Sequence, residues 1–79
     1  MNTLNVPARE LSDGSMTSPY SITYGEKETI VSVPSQQRSD GTWTEPLTFK
    51  LPPGRQSVRI PAIDLGNGRW TIAETIDIN

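Results

Sequence analysis

The chain of 79 residues contains no cysteine and no histidine. That excludes disulfides, thiol nucleophiles, zinc sites of the usual kind and histidine acid–base chemistry together. Serine and threonine are plentiful, but no histidine or cysteine stands ready to activate them, and Lys27 and Lys50 are the only lysines. A glycine-rich phosphate loop is missing as well, because Gly66 and Gly68 bracket a turn with no helical pattern after it. Asp64-Leu65-Gly66-Asn67-Gly68 has the look of a calcium loop without its later glutamate or its ligand spacing. The expectation is a non-catalytic protein with no cofactor and no metal site. Met1 to Asn5 has neither a basic run nor an apolar segment of signal-peptide type, and no apolar run is long enough to span a membrane. A cytoplasmic setting, that of the host cell if the protein is viral, is the corresponding expectation. No internal repeat, low-complexity segment or heptad pattern is expected.

A chain of this size has room for one domain. It buries only about 60% of the surface its unfolded form exposes. Small domains without disulfides or metals often gain the missing burial by association, so self-association is expected. The net charge of −2 argues against binding nucleic acid by bulk charge alone. The charge is uneven, however. Residues 46–69 carry Lys50, Arg55, Arg59 and Arg69 against Asp64 alone. On the open face of a sheet these are ordinary solvated charges; on one groove they are an anion-binding surface.

What is present is β pattern. Residues 1–18 have no sustained period and read as a flexible arm or irregular segment. Within them, Asn2 to Val6 is a candidate strand, and Val6 to Leu11 has room for one helical turn with Pro7 at its start. A single β domain then spans residues 19–79. Tyr20, Ile22 and Tyr24 alternate with hydroxyls, as a half-buried strand requires. After the turn at 25–27, Glu28 to Val33 is a second β-rich run that Pro34 ends, so the two form a hairpin. Leu47, Phe49 and Leu51 alternate with Thr48 and Lys50, and Pro53-Gly54 suits a type II turn into a strand over Ser57 to Leu65. The apolar phase of that strand switches at Ala62-Ile63 beside Pro61, which predicts a β-bulge. Gly66-Asn67-Gly68 is a tight-hairpin signal leading into a strand over Arg69 to Ile78, in which Glu74 interrupts the apolar face. Five or six short antiparallel strands predict an all-β barrel or sandwich.

The longest polar connection, residues 34–46, carries Trp43 alone on a loop with turn chemistry at Ser39 to Thr42. Such a tryptophan either folds back over the core or stands exposed for binding.

Three pieces of the chain resemble the single-stranded-DNA-binding proteins of filamentous bacteriophages, the gene V type. They are Ser18-Pro19-Tyr20-Ser21, Glu45-Pro46-Leu47-Thr48-Phe49-Lys50-Leu51, and Pro52-Pro53-Gly54-Arg55 running on through Ile60 to Gly66-Asn67-Gly68 and a closing strand. The resemblance implies a five-stranded OB-like barrel, a homodimer and cooperative coating of single strands, with bases stacking on Tyr20. The first hairpin of that family is basic, whereas here Glu26 and Glu28 flank Lys27.

Two function readings follow. The leading one is a protein–protein interaction or accessory module, of the kind a virus or phage would encode, anchored by Trp43, Arg38 and Trp70, since interface anchors are enriched in Trp, Tyr and Arg. The alternative is single-stranded DNA binding, with Lys50, Arg55, Arg59 and Arg69 on phosphates and Tyr20 among the stacking platforms.

Overall fold

The computed structural model describes residues 2–54 and 56–78. Eight strands are present: β1 (Asn2–Val6), β2 (Tyr20–Tyr24), β3 (Thr29–Val33), β4 (Leu47–Leu51), β5 (Gln56–Ile60), β6 (Asp64–Gly66), β7 (Arg69–Trp70) and β8 (Glu74–Ile78). No helix forms among the described residues, so none is long and apolar enough to cross a membrane. The all-β expectation holds. The helical turn expected near Pro7 is replaced by a chain that leaves β1 directly into a loop.

Strands β1 to β4 form one antiparallel sheet in sequence order. Strands β5 and β8 form a second, two-stranded sheet, and β6 with β7 a third. The first two sheets share one apolar cluster of Ile22, Val31 and Val33 on one side and Val58, Ile60, Ile76 and Ile78 on the other. Tyr20, Leu47, Phe49, Leu51 and Ile63 pack around it. The molecule measures 41 × 26 × 17 Å. Its short dimension suits two sheets stacked at about 10 Å with their outer side chains.

Superposed on this is an internal repeat, where none was expected. Val6-Pro7, Val33-Pro34 and Ile60-Pro61 lie 27 residues apart (6, 33, 60), as do Asp13-Gly14, Asp40-Gly41 and Asn67-Gly68. The structure reproduces the period in its pairing. Val6 sits opposite Tyr20, Val33 opposite Leu47 and Ile60 opposite Glu74. Each unit is a stalk of two long strands whose connection folds into a short tip hairpin. The bridges that close the tips are Glu10 with Met16, Gln37 with Trp43 and Asp64 with Trp70.

One threonine per unit holds tip to stalk. Thr17, Thr44 and Thr71 are all buried, although threonine is polar. The hydroxyl of each accepts the backbone N–H eight residues earlier, from Arg9, Gln36 and Ile63, at 2.8, 2.8 and 2.9 Å. Each backbone N–H in turn donates to the carbonyl of that same residue. This two-point clamp satisfies polar groups that the proline in each unit and the divergence of the strands leave without ladder partners.

The repeat corrects several expectations. The run Ser57 to Leu65 is two elements, because Ile60 ends a stalk and Pro61 opens a tip; the apolar phase switch at Ala62-Ile63 is that junction. The irregularity in pairing falls instead between Asp64 and Gly66. Arg69 to Ile78 is likewise two strands, one in a tip and one in a stalk. Strands β4 and β5 are not a hairpin: β5 pairs with β8. The turn at Gly54 does have the positive φ expected of it, 117°, but it carries the chain from one layer to the other. The first eighteen residues hold β1, paired to β2 along its length, and the first tip. The β2–β3 and β6–β7 hairpins form as expected.

Candidate functional site at the hairpin tips

The tips are built by short-range chemistry. In the first, Asp13 Oδ1 accepts both the N–H and the hydroxyl of Ser15, at 3.0 and 2.6 Å. In the second, Asp40 Oδ1 accepts the same pair from Thr42 at the same two distances. These hydrogen bonds, the hydroxyl first, hold both carboxyls below the ordinary aspartate pKa. In the third tip, Asp64 Oδ1 accepts the Gly66 N–H at 2.9 Å, and Asn67 turns the chain at φ 54°.

The tips are joined to one another through the third. Ser39 donates both its N–H and its hydroxyl to the Leu65 carbonyl at 2.9 Å. Gly66 permits this approach: a Cβ there would lie 2.8 Å from Ser39 Oγ. The Ile72 N–H donates to the Met16 carbonyl at 2.9 Å on the other side. Arg38 adds a third tie. Its guanidinium donates to the Trp43 carbonyl at 2.9 Å, the Asp64 carbonyl at 3.2 Å and Thr42 Oγ1 at 3.3 Å.

This framework fixes the aromatics. Trp43 and Trp70 occupy the same position of successive units and are 61% and 56% exposed. Each stands beside a polar residue across its tip, Gln37 or Asp64, since bridge partners in an antiparallel pair project to the same face. Met16 holds the third such position. It lies with Trp70, Leu65 and Arg69 around a cleft of about 270 Å³ between the first and third tips.

The residues nominated from sequence distribute as follows. Trp43 is exposed on a tip, which decides between the two alternatives for it. Arg38 lies beside it, with its Nε and Nη1 donating to the tip framework. Arg69 precedes the exposed Trp70. Lys50 and Arg59 are exposed, but each faces away from the shared core on a different sheet, so they do not meet on one surface. Arg55 lies outside the described residues. Tyr20 is half-buried, and its hydroxyl pKa is raised by burial and then by the charge of Glu74. It lines an apolar groove of about 600 Å³ between the first two stalks, walled by Pro7, Pro19, Pro34, Pro46 and Leu47. Glu74, at the repeat position of Tyr20 and Leu47, pairs with Arg9 at 3.1 Å, while its other oxygen is buried without a partner.

Sequence reasoning nominated Trp43 and Trp70 singly and missed that they are equivalent. The signal was the 27-residue spacing of Gly-Thr-Trp-Thr over 41–44 and Gly-Arg-Trp-Thr over 68–71. No protein-family model, curated protein or solved structure matches the chain.

Proposed function

We propose that the protein is a non-catalytic interaction module that docks a protein partner through its hairpin tips. The observation that carries this reading is the pair of exposed tryptophans at one repeat position. In a repeat protein a large apolar residue recurs either for packing or for recognition. These two side chains are mostly outside the packing, and exposed aromatics on a rigid frame are what interface anchors consist of. Arg38 contributes by fixing the tips, which lowers the ordering cost of binding.

The reading is tested with W43A, W70A and the double variant against the K50E/R59E variant. Partners recovered from the native source and identified by mass spectrometry are expected to be lost from the double tryptophan variant. Their affinity should fall about 30-fold or more, the size of a hot-spot truncation. K50E/R59E should keep them. The alternative reading, an OB-like homodimer coating single-stranded DNA, expects the reverse. Fluorescence quenching by oligo-dT would be tight at about 50 mM salt, far weaker at about 200 mM, and abolished by K50E/R59E. That pattern would displace the protein-docking reading.

A further inference from the structure

The three stalks share a sequence period but not a degree of burial. At one repeat position stand Leu4, Val31 and Val58; the second and third are 0% and 4% exposed, whereas Leu4 is 50% exposed. The neighbouring positions repeat the contrast. Val6 is half-buried where Val33 and Ile60 are fully buried, and Tyr24 is exposed where Ile78 is buried. The first stalk buries Ile22 on β2, but its outer strand β1 leaves at the surface the apolar positions that β3 and β5 bury.

The strand bearing this stripe is also a free edge. β1 and β4 end the four-stranded sheet, and the two smaller sheets leave further edges at β5, β8, β6 and β7. Folded proteins blunt free edges with charge, proline or shortness. Every other edge here is so treated. Lys50 lies in β4, Arg59 in β5, and Glu74 and Asp77 in β8; β6 and β7 are two or three residues long and carry Asp64 and Arg69, and the flanking prolines (Pro7 after β1, Pro46 and Pro52 around β4) lie outside the strands. β1 alone, Asn2-Thr3-Leu4-Asn5-Val6, is five residues long, without charge and without proline.

We propose that β1 is a self-association edge, pairing antiparallel with β1 of a second copy about a twofold axis at Leu4. Five residues centred on Leu4 give a self-complementary register. Leu4 lies opposite Leu4 of the other copy, Thr3 opposite Asn5, and Asn2 opposite Val6. This register keeps side-chain parity, so the core faces of both sheets stay on one side. The row Leu4–Ile22–Val31–Phe49, which runs across the sheet by strand register, continues into its twin. The contact is isologous and closes at two copies. It is separate from the tips, which lie beyond the strand ends, and does not depend on the docking reading.

The chain has no cysteine, so one engineered thiol reports on this edge without background. In L4C the two thiols are on residues directly opposite each other, at the Cα separation a disulfide spans. Sedimentation equilibrium of the unmodified protein is expected to show a concentration-dependent monomer–dimer equilibrium. L4C treated with diamide should run as a covalent dimer. L4K, whose substitution is at a half-exposed position, should keep the wild-type circular dichroism and sediment as a monomer. A concentration-independent wild-type monomer overturns the proposal. So does a dimer that L4K leaves intact, or one in which L4C fails to cross-link.

Discussion

Thr17, Thr44 and Thr71 are the residues on which each unit turns, and their burial has a direct energetic consequence. Replacing Thr44 by valine keeps the shape but leaves the Gln36 N–H without its acceptor at a part-buried site. An unsatisfied buried donor costs about 1–3 kcal/mol. T44V should therefore lower the urea midpoint by that amount of free energy with little change in m. Thr44→Ser, which retains the hydroxyl, should recover most of it. Gly66 carries a second single-residue constraint. G66A adds a Cβ at positive φ and within 2.8 Å of Ser39 Oγ, so it should destabilise where G14A, with open space around it, is penalised by φ alone. Asp13 and Asp40 supply a pH dependence. Their hydrogen bonds to Ser15 and Thr42 hold the folded pKa values below that of an unfolded aspartate, so their contribution is fully present above the unfolded value and is lost as pH falls through the folded values. In acid denaturation, D40A should flatten the stability profile below about pH 4 and leave its slope near neutrality unchanged.

At the scale of elements, the stalks differ in charge at their tip-proximal ends. Tyr20, Leu47 and Glu74 are equivalent, and only Glu74 brings a charge to the margin of the core, where Arg9 meets it. Removing either member leaves the other uncompensated, which costs most where that other is buried; Arg9 keeps 52% of its side chain exposed and Glu74 only 22%. E74L restores the residue type of the second stalk and should raise the melting temperature or leave it unchanged. R9L should lower it. The elements themselves were readable where local chemistry specifies them: alternation of Tyr20, Ile22 and Tyr24, the stop at Pro34, the turn at Asn67-Gly68. Partnership between distant strands was not. Pro53-Gly54 announces a turn, and a turn between two β runs reads as a hairpin; that β5 pairs across the tip with β8 is decided by the stacking of layers, which no local signal encodes. The site was half legible for the same reason. The aromatic character of Trp43 and Trp70 is in the sequence, but their exposure depends on Arg38, Ser39 and Gly66 tying the tips together.

For the molecule as a whole, the period is 27, an odd number, while a strand alternates faces every two residues. Core-facing positions must therefore change parity from unit to unit. They are even in the first stalk (Leu4, Val6, Ile22), odd in the second (Val31, Val33, Phe49) and even again in the third (Val58, Ile60, Ile76). Substitutions of one type thus map to alternating parity along the chain. I30K in the second unit is expected to be mild and V31K severe, by several kcal/mol in chemical denaturation, since Ile30 lies on the outer face and Val31 is fully buried. The clamps carry a different implication. Because every tip is fastened by the same hydroxyl to the same backbone atoms, the seven residues between those fastenings form a cassette with standard ends, and the three tips differ in what lies between them. Residues 37–43 transplanted over 10–16 should fold on the Arg9–Thr17 clamp and set a tryptophan at the position of Met16, against the cleft that Met16 shares with Trp70.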